Sequence, residues 1–423
     1  MRKLSVWLTV VTLVAAACAD SADTTTPPTA TTTAAAATTT TPPTATTTAG
    51  VGPECTTTPA DAPGTSSTLV GPVVGSTAPV VTTTTRQSVE VELGTVDPVI
   101  PVDAQDQTLL VYELSILNSS DARVELLGVE ATSGETVIAS FEGATLRGRV
   151  SSGLTRIDAG SEVLVFMWLC VPHELAAQGV TNVVTMGTGE GNDQNFEKRL
   201  QVPIVDEMPV VLGPPLRGDG WVAFNIYDSS PHSRTVVEFD GVLRIPLRFA
   251  IDWVRLGENG LEYTGEFTDN ESHHAYGVEV LAVADGRIEA VTDGVPENVP
   301  GATPAVPITL DTRGGNLIIL DIGNGRYVTY AHLIPGSLTV GVGDHVKRGD
   351  VLARLGNSGR STVPHLHFHV SEIFDTQTAS GLNGSGVPFV FESFEILGDS
   401  SSAGARTLEI PIEDAVIKFP NAG

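Results

Sequence analysis

Beyond Ser88, apolar and polar residues alternate in short runs, and turn-forming residues close each run. Ser88-Val89-Glu90-Val91-Glu92-Leu93, Leu109 to Leu117 and Glu162 to Leu169 are such runs. Asn118-Ser119-Ser120-Asp121 and Asp158-Ala159-Gly160-Ser161 separate them. A period of two places alternate side chains on opposite faces of a strand. With 43 glycines and 27 prolines, the chain is poorly suited to a helical bundle and well suited to many short strands joined by turns. Hydrophobic residues make up 41 %, enough to fill real cores. The fold expected is therefore all-β.

Composition divides the 423 residues into segments. Arg2 and Lys3 precede an apolar run, Leu4 to Ala17, too short to span a bilayer comfortably, which takes ~20 residues. Residues 1–18 thus read as an export signal. Cys18 after Ala15-Ala16-Ala17 resembles a lipobox, with Ala15 where leucine is usual, so the expectation is export to the bacterial cell envelope, either lipid-anchored at Cys18 or secreted. Residues 19–85 form a Thr/Pro/Ala linker with little to bury. A β-sandwich is expected over 86–205, a second β-rich domain over 213–398, and a polar tail over 399–423 with one short strand at Thr407 to Ile412.

Charge and cysteine narrow the partners. The formal net charge of −27 repels phosphate backbones, which argues against nucleic-acid binding and requires any contact with an anionic envelope to be local. Three cysteines, Cys18, Cys55 and Cys170, are too few for a disulfide scaffold or a cysteine-built zinc site; Cys55 and Cys170 either pair or stay apart. The sequence does not speak to oligomeric state.

The chemistry concentrates in the second domain. In Pro364-His365-Leu366-His367-Phe368-His369, the imidazoles at i, i+2 and i+4 share one face of a strand. Burying titratable rings together is costly without a metal or a reaction to serve, so His365 and His367 read as ligand or catalytic groups, and His369 as an end of the strand. Tyr327 to Leu333 is an alternating strand ending at His332, and Asp252 is a carboxylate within the apolar run Arg248 to Trp253. His173 and His345 read as structural and solvated. Asn357-Ser358-Gly359 lacks the ending of a phosphate loop, and Ser361 lacks the Gly-x-Ser-x-Gly setting of a nucleophile.

Several stretches occur in an order that identifies a family: Tyr276 to Gly286, Gly315-Asn316 with Asp321 to Gly325, Tyr330-Ala331-His332-Leu333, Val340 to Asp350, and Leu355 to Ser361 followed by His365-Leu366-His367. From about residue 244 to 370 the chain resembles the lysostaphin/LytM-type zinc endopeptidases of metallopeptidase family 23, which cut peptidoglycan peptides. The sandwich resembles, on weaker motifs, a domain that accompanies a subgroup of them. The resemblance implies an antiparallel sheet domain, Zn2+ as cofactor, Asp252 and His367 as metal ligands, and His332 and His365 as the acid/base and oxyanion-stabilising groups. Three protein ligands leave one zinc position open, and zinc brings water into ionisation near neutral pH.

One position departs from that pattern. The family places a histidine four residues before the aspartate, and this chain has Arg248 there. A guanidinium has no lone pair to give. Three outcomes are open: another histidine supplies the ligand, the site binds zinc weakly, or the domain is catalytically degenerate and binds wall peptides or regulates another wall hydrolase. His232 is the nearest substitute, with His273 and His274 behind it. A hairpin over Val236 to Ile245, with paired positions summing to 481, sets His232 opposite Phe249 and on the wrong face, unless a bulge at Pro246 reverses the parity. In a metal-free site Arg248 would pair with Asp252. A weaker third idea, a carbohydrate-binding sandwich, is disfavoured by an aromatic content of 5 %.

Overall fold

The computed structural model describes residues 89–188, 195–239, 241–372, 382, 384–398, 403–411 and 415–421, all within one compact unit, Ala49–Gly423. The export signal, Cys18, Cys55 and the whole Thr/Pro/Ala linker lie outside the described residues. Among those residues no helix is long and apolar enough to cross a membrane.

The architecture is all-β, an N-terminal sandwich followed by an antiparallel sheet domain. In the sandwich, Gln107–Asn118 pairs with Val91–Thr95, Val102–Ala104 and Glu162–Val171. The facing sheet runs Thr136–Glu142, Val124–Ser133, Thr181–Gly187, Phe196–Gln201. Leu110, Tyr112, Leu114 and Ile116 point into the core between these sheets with Val124, Leu126, Val129 and Val184. The alternate residues Leu109 and Val111 join a different core, together with Trp221, Phe249 and Phe368 of the second domain. Gln107–Asn118 is thus buried on both faces, which is why its sequence reads as a nearly continuous apolar run. Cys170, on the neighbouring strand, is disulfide-bonded, with its partner outside the described residues.

The second domain is built on a ten-stranded sheet. Its order is His345–Val346, Gly286–Thr292, Asn316–Asp321, Arg326–Leu333, Leu366–Glu372, Ile251–Arg255, Gly218–Phe224, Val416–Phe419, Phe394–Ile396, Gly404–Arg406. One face is packed by Trp221, Trp253, Tyr330, Phe368 and Phe419. The opposite face of the three middle strands carries Asp252, His367, His369 and Thr329. Those three strands are brought together from positions far apart in sequence.

The expected tail is corrected by this topology. Val416–Phe419 lies inside the sheet between Gly218–Phe224 and Phe394–Ile396. Phe419 is fully buried, 5.2 Å from Trp253 and 5.2 Å from Phe391 between ring centroids. The strand foreseen at Thr407 to Ile412 is instead a single bridge, Phe391 with Glu409, while Gly404–Arg406 pairs with Phe394–Ile396. Four residues are too short a run for periodicity to reveal, and the aromatic shelf they cover is formed at long range.

Candidate metal centre

Two neighbouring strands set the first pair of side chains. Asp252 stands directly opposite His367 in the antiparallel register, which places both on the face away from the Trp253 core. His367 Nδ1 lies 2.8 Å from Asp252 Oδ1. On the other side of His367 stands Ala331, small enough to leave the floor of the site open.

His232 reaches the same point from a loop. The hairpin forms in the expected register, Val237 opposite Arg244 and Phe239 opposite Val242, positions that sum to 481. The ladder stops there, however. Residues 231–234 and 246–249 are turns, so extending the parity to His232 and Phe249 has no physical basis. The His232 ring stands edge-on to His367, 4.9 Å between centroids, with Nε2 3.5 Å from Asp252 Oδ2. His232, Asp252 and His367 each present a donor atom, all within 4.8 Å of one another.

Arg248 is elsewhere. Its guanidinium donates to both oxygens of Glu113 on the sandwich, at 3.0 and 2.6 Å, to Asp97 at 2.7 Å, and to the Gly386 carbonyl at 3.3 Å. The expected Arg248–Asp252 pair is therefore corrected. The turn at 246–249 breaks the strand periodicity that would have put Arg248 and Asp252 on one face. His273 and His274 are also distant in role: His273 Nε2 donates to the Phe267 carbonyl and His274 bonds the Thr264 hydroxyl.

His332 and His365 flank the trio. Strict alternation would send His332 to the core side, since Tyr330 is packed there. A register shift opposite Asn316 and Ile318, with φ of +65° at His332, turns its ring to the site instead. That left-handed backbone costs on the order of 1 kcal/mol or more for a residue with a Cβ. It is held by a bond from the His332 amide to the Gly314 carbonyl and by one from Nδ1 to the Ser358 carbonyl, 2.8 Å. A carbonyl only accepts, so Nδ1 carries the hydrogen and Nε2 of the neutral ring keeps its lone pair. His365 is fixed the same way, Nδ1 donating to the Val363 carbonyl at 2.9 Å with the Ser361 hydroxyl at 3.2 Å. The His332 and His365 rings lie 4.7 Å apart, and His365 Nε2 is 3.6 Å from Asp252 Oδ1. The Asn357-Ser358-Gly359 segment thus serves as a mount for His332. A Cβ at Gly359 would come within 2.3 Å of the Gly315 nitrogen, so only glycine permits that approach.

Electrostatics prepare these groups for a cation. Burial pushes the His232 pKa down to about 4, and burial with the neighbouring His365 and His367 holds His332 well below the usual imidazole value. Both rings are neutral at pH 7, with lone pairs available. Burial alone would raise Asp252, but His232, His365 and His367 around it keep its carboxyl far below the ordinary range. Two imidazoles, His232 and His367, and the Asp252 carboxylate, at coordination spacing, fit zinc by donor chemistry.

Other residues were not foreseen. Asn225, with φ of +64°, donates to Asp252 Oδ2 at 2.7 Å. His369 is buried beside the site, its Nδ1 3.0 Å from His367 Nε2, rather than merely ending the strand. The His232 loop is clamped at Asp228, whose carboxylate accepts from Arg149 of the sandwich at 2.7 Å and from Arg234 at 3.3 Å. Arg234 also bonds the Gly148 carbonyl. Lone polar residues in loops leave no periodic signal, so only the folded chain exposes these contacts.

Residues 271–380 match the model of Peptidase family M23. That stretch is an M23 domain. It supplies His332, His365 and His367, while His232 and Asp252 come from the chain before it. Among solved structures, the catalytic domain of the prophage-encoded M23 protein EnpA from Enterococcus faecalis is 19 % identical. It covers 41 % of this chain and 92 % of its own, with a TM-score of 0.25. The catalytic domain of the antimicrobial peptidase lysostaphin from Staphylococcus simulans is 27 % identical over 28 % of this chain and 84 % of its own, TM-score 0.18. A zinc-containing peptidase from Vibrio cholerae is 15 % identical over 67 % of this chain and 82 % of its own, TM-score 0.21.

Proposed function

We propose that this chain is a zinc-dependent endopeptidase that hydrolyses peptide bonds of bacterial peptidoglycan, exported to the cell envelope and either lipid-anchored at Cys18 or secreted. The carrying observation is the convergence of His232, Asp252 and His367 donor atoms within 4.8 Å, flanked by two imidazoles whose Nδ1 atoms are tied to carbonyls. The M23 match over residues 271–380 supports the reaction class.

In this reading His232, Asp252 and His367 hold Zn2+, which when bound supplies Lewis acidity toward the scissile carbonyl and acidifies water. His332 and His365 do the proton work. Each neutral ring offers Nε2 as a base, and each protonated ring offers Nε2–H as a donor to negative charge developing on the carbonyl oxygen. The Ser358 and Val363 carbonyls fix the tautomers and the ring planes. Ser361 supports His365 and is no nucleophile in this scheme. The cavity of about 300 Å³ over the site admits an extended peptide segment rather than a folded protein.

The degenerate-binder alternative drew its motive from Arg248, and that side chain is engaged by Glu113 and Asp97. Elemental analysis and peptidoglycan digestion separate the two. Stoichiometric zinc, lost in Asp252→Ala, with peptide release from purified sacculi is expected. Zinc-loaded protein that releases no peptide, or protein that takes up no zinc, refutes the enzyme.

A further inference from the structure

The cavity over the metal centre is lined on one side by Arg313 and Arg360. They are backbone neighbours, the Arg360 amide donating to the Arg313 carbonyl at 2.8 Å. Among the described residues neither guanidinium has an ion pair or a hydrogen bond, although the chain has 23 basic residues against 50 acidic ones. Most of the other described arginines are paired. Arg149, Arg217, Arg234, Arg248, Arg255 and Arg326 each meet a carboxylate. Among the described residues lining the cavity, Asp252 is the one acidic group, and it belongs to the metal cluster. Arg313 is half-buried, and both burial and the like charge of Arg360 disfavour its protonated form. Among the described residues these two adjacent cations, in a strongly anionic chain and lining the proposed substrate groove, have no protein counter-ion, and an anionic ligand would supply one.

We propose that Arg313 and Arg360 bind a carboxylate of the substrate, so that this chain takes a peptide bearing an acidic group beside the scissile bond. The proposal rests on the endopeptidase reading for the direction of the groove. The planar guanidinium matches a carboxylate with two parallel N–H···O bonds, and two such groups on one wall fix both position and orientation of an extended peptide. Long-range repulsion from the net charge of −27 works against any anionic ligand. A local cationic pair confines acceptance to ligands that present the carboxylate at that point. The acidic group is either a side-chain carboxylate or a free terminal one, and the chemistry of recognition is the same.

Binding decides the matter independently of turnover. Full-length protein, zinc-free and zinc-loaded, is titrated calorimetrically with a peptidoglycan stem tetrapeptide, with the same peptide amidated on its side-chain carboxyl, and with the same peptide amidated at its C-terminus. One amidation is expected to weaken binding about tenfold or more, the worth of a charge-assisted bond, and thereby names the carboxylate. In Arg313→Gln and Arg360→Gln the free and amidated peptides should bind within about twofold of each other, with circular dichroism unchanged. Equal affinities for all three peptides in the wild type, no measurable binding of any, or a preference that survives both substitutions overturns the proposal. Preference without hydrolysis sinks the enzyme reading alone, and hydrolysis without preference sinks the subsite alone.

Discussion

Removing Glu113 tests how the two domains are joined. Arg248 and Glu113 form a two-bonded pair across the domain boundary with side chains only 6 % and 1 % exposed. Burial disfavours the Arg248 charge, but Glu113 and Asp97 over-compensate, and the guanidinium pKa lies above its ordinary value. Arginine cannot escape by losing a proton. Glu113→Ala therefore strands a buried cation with the Gly386 carbonyl and Asp97, whose side chain is 26 % exposed. Breaking one partner of a buried pair costs about 3–5 kcal/mol, and the surviving Asp97 contact points to the lower end, about 3 kcal/mol. The double variant Glu113→Met with Arg248→Met removes both charges and should lie within about 1 kcal/mol of the wild type. Urea unfolding followed by tryptophan fluorescence and by circular dichroism reads both. A single-variant loss below about 1 kcal/mol, or a double variant as damaged as the single, refutes the reasoning.

Further outcomes follow from the same contacts. His232→Ala should lower zinc affinity by more than the 10–100-fold typical of outer-shell changes, while Arg248→Met leaves zinc stoichiometry intact; isothermal titration distinguishes them. Asp228→Ala frees the His232 loop from Arg149 and should weaken zinc about tenfold with the far-ultraviolet spectrum unchanged. In the metal-free protein, the His232 pKa is about 4 folded and about 6.5 unfolded, so between these values the unfolded chain binds a proton that the folded one does not. As the pH is lowered through this window, this group should therefore remove up to about 3 kcal/mol of stability, and His232→Gln should abolish that component in pH-dependent denaturation. Phe419→Ala should cost about 3–5 kcal/mol by urea denaturation, whereas a true tail would register almost nothing.

Local pattern carried much of this protein. Alternation and turn residues determined an all-β chain, because side-chain direction in a strand depends only on parity. The hairpin register followed from its turn, and Asp252 with His365 and His367 stood out because polar groups in apolar runs need partners. The M23 stretch was legible from its ordered glycines and histidines. Parity fails wherever a strand stops, and the site is built at such places. His232 arrives from a turn that Asp228 ties to Arg149, and His332 faces the site only through a register shift and a left-handed backbone. Arg248, by sequence position a failed ligand, is a cross-domain anchor because Glu113 lies 135 positions away in the chain and adjacent in space. Val416–Phe419 likewise becomes a central strand only once the aromatic shelf exists to receive it. Such contacts are decided by the packing of distant segments, where the direction of a side chain is set by what it meets rather than by its neighbours in sequence.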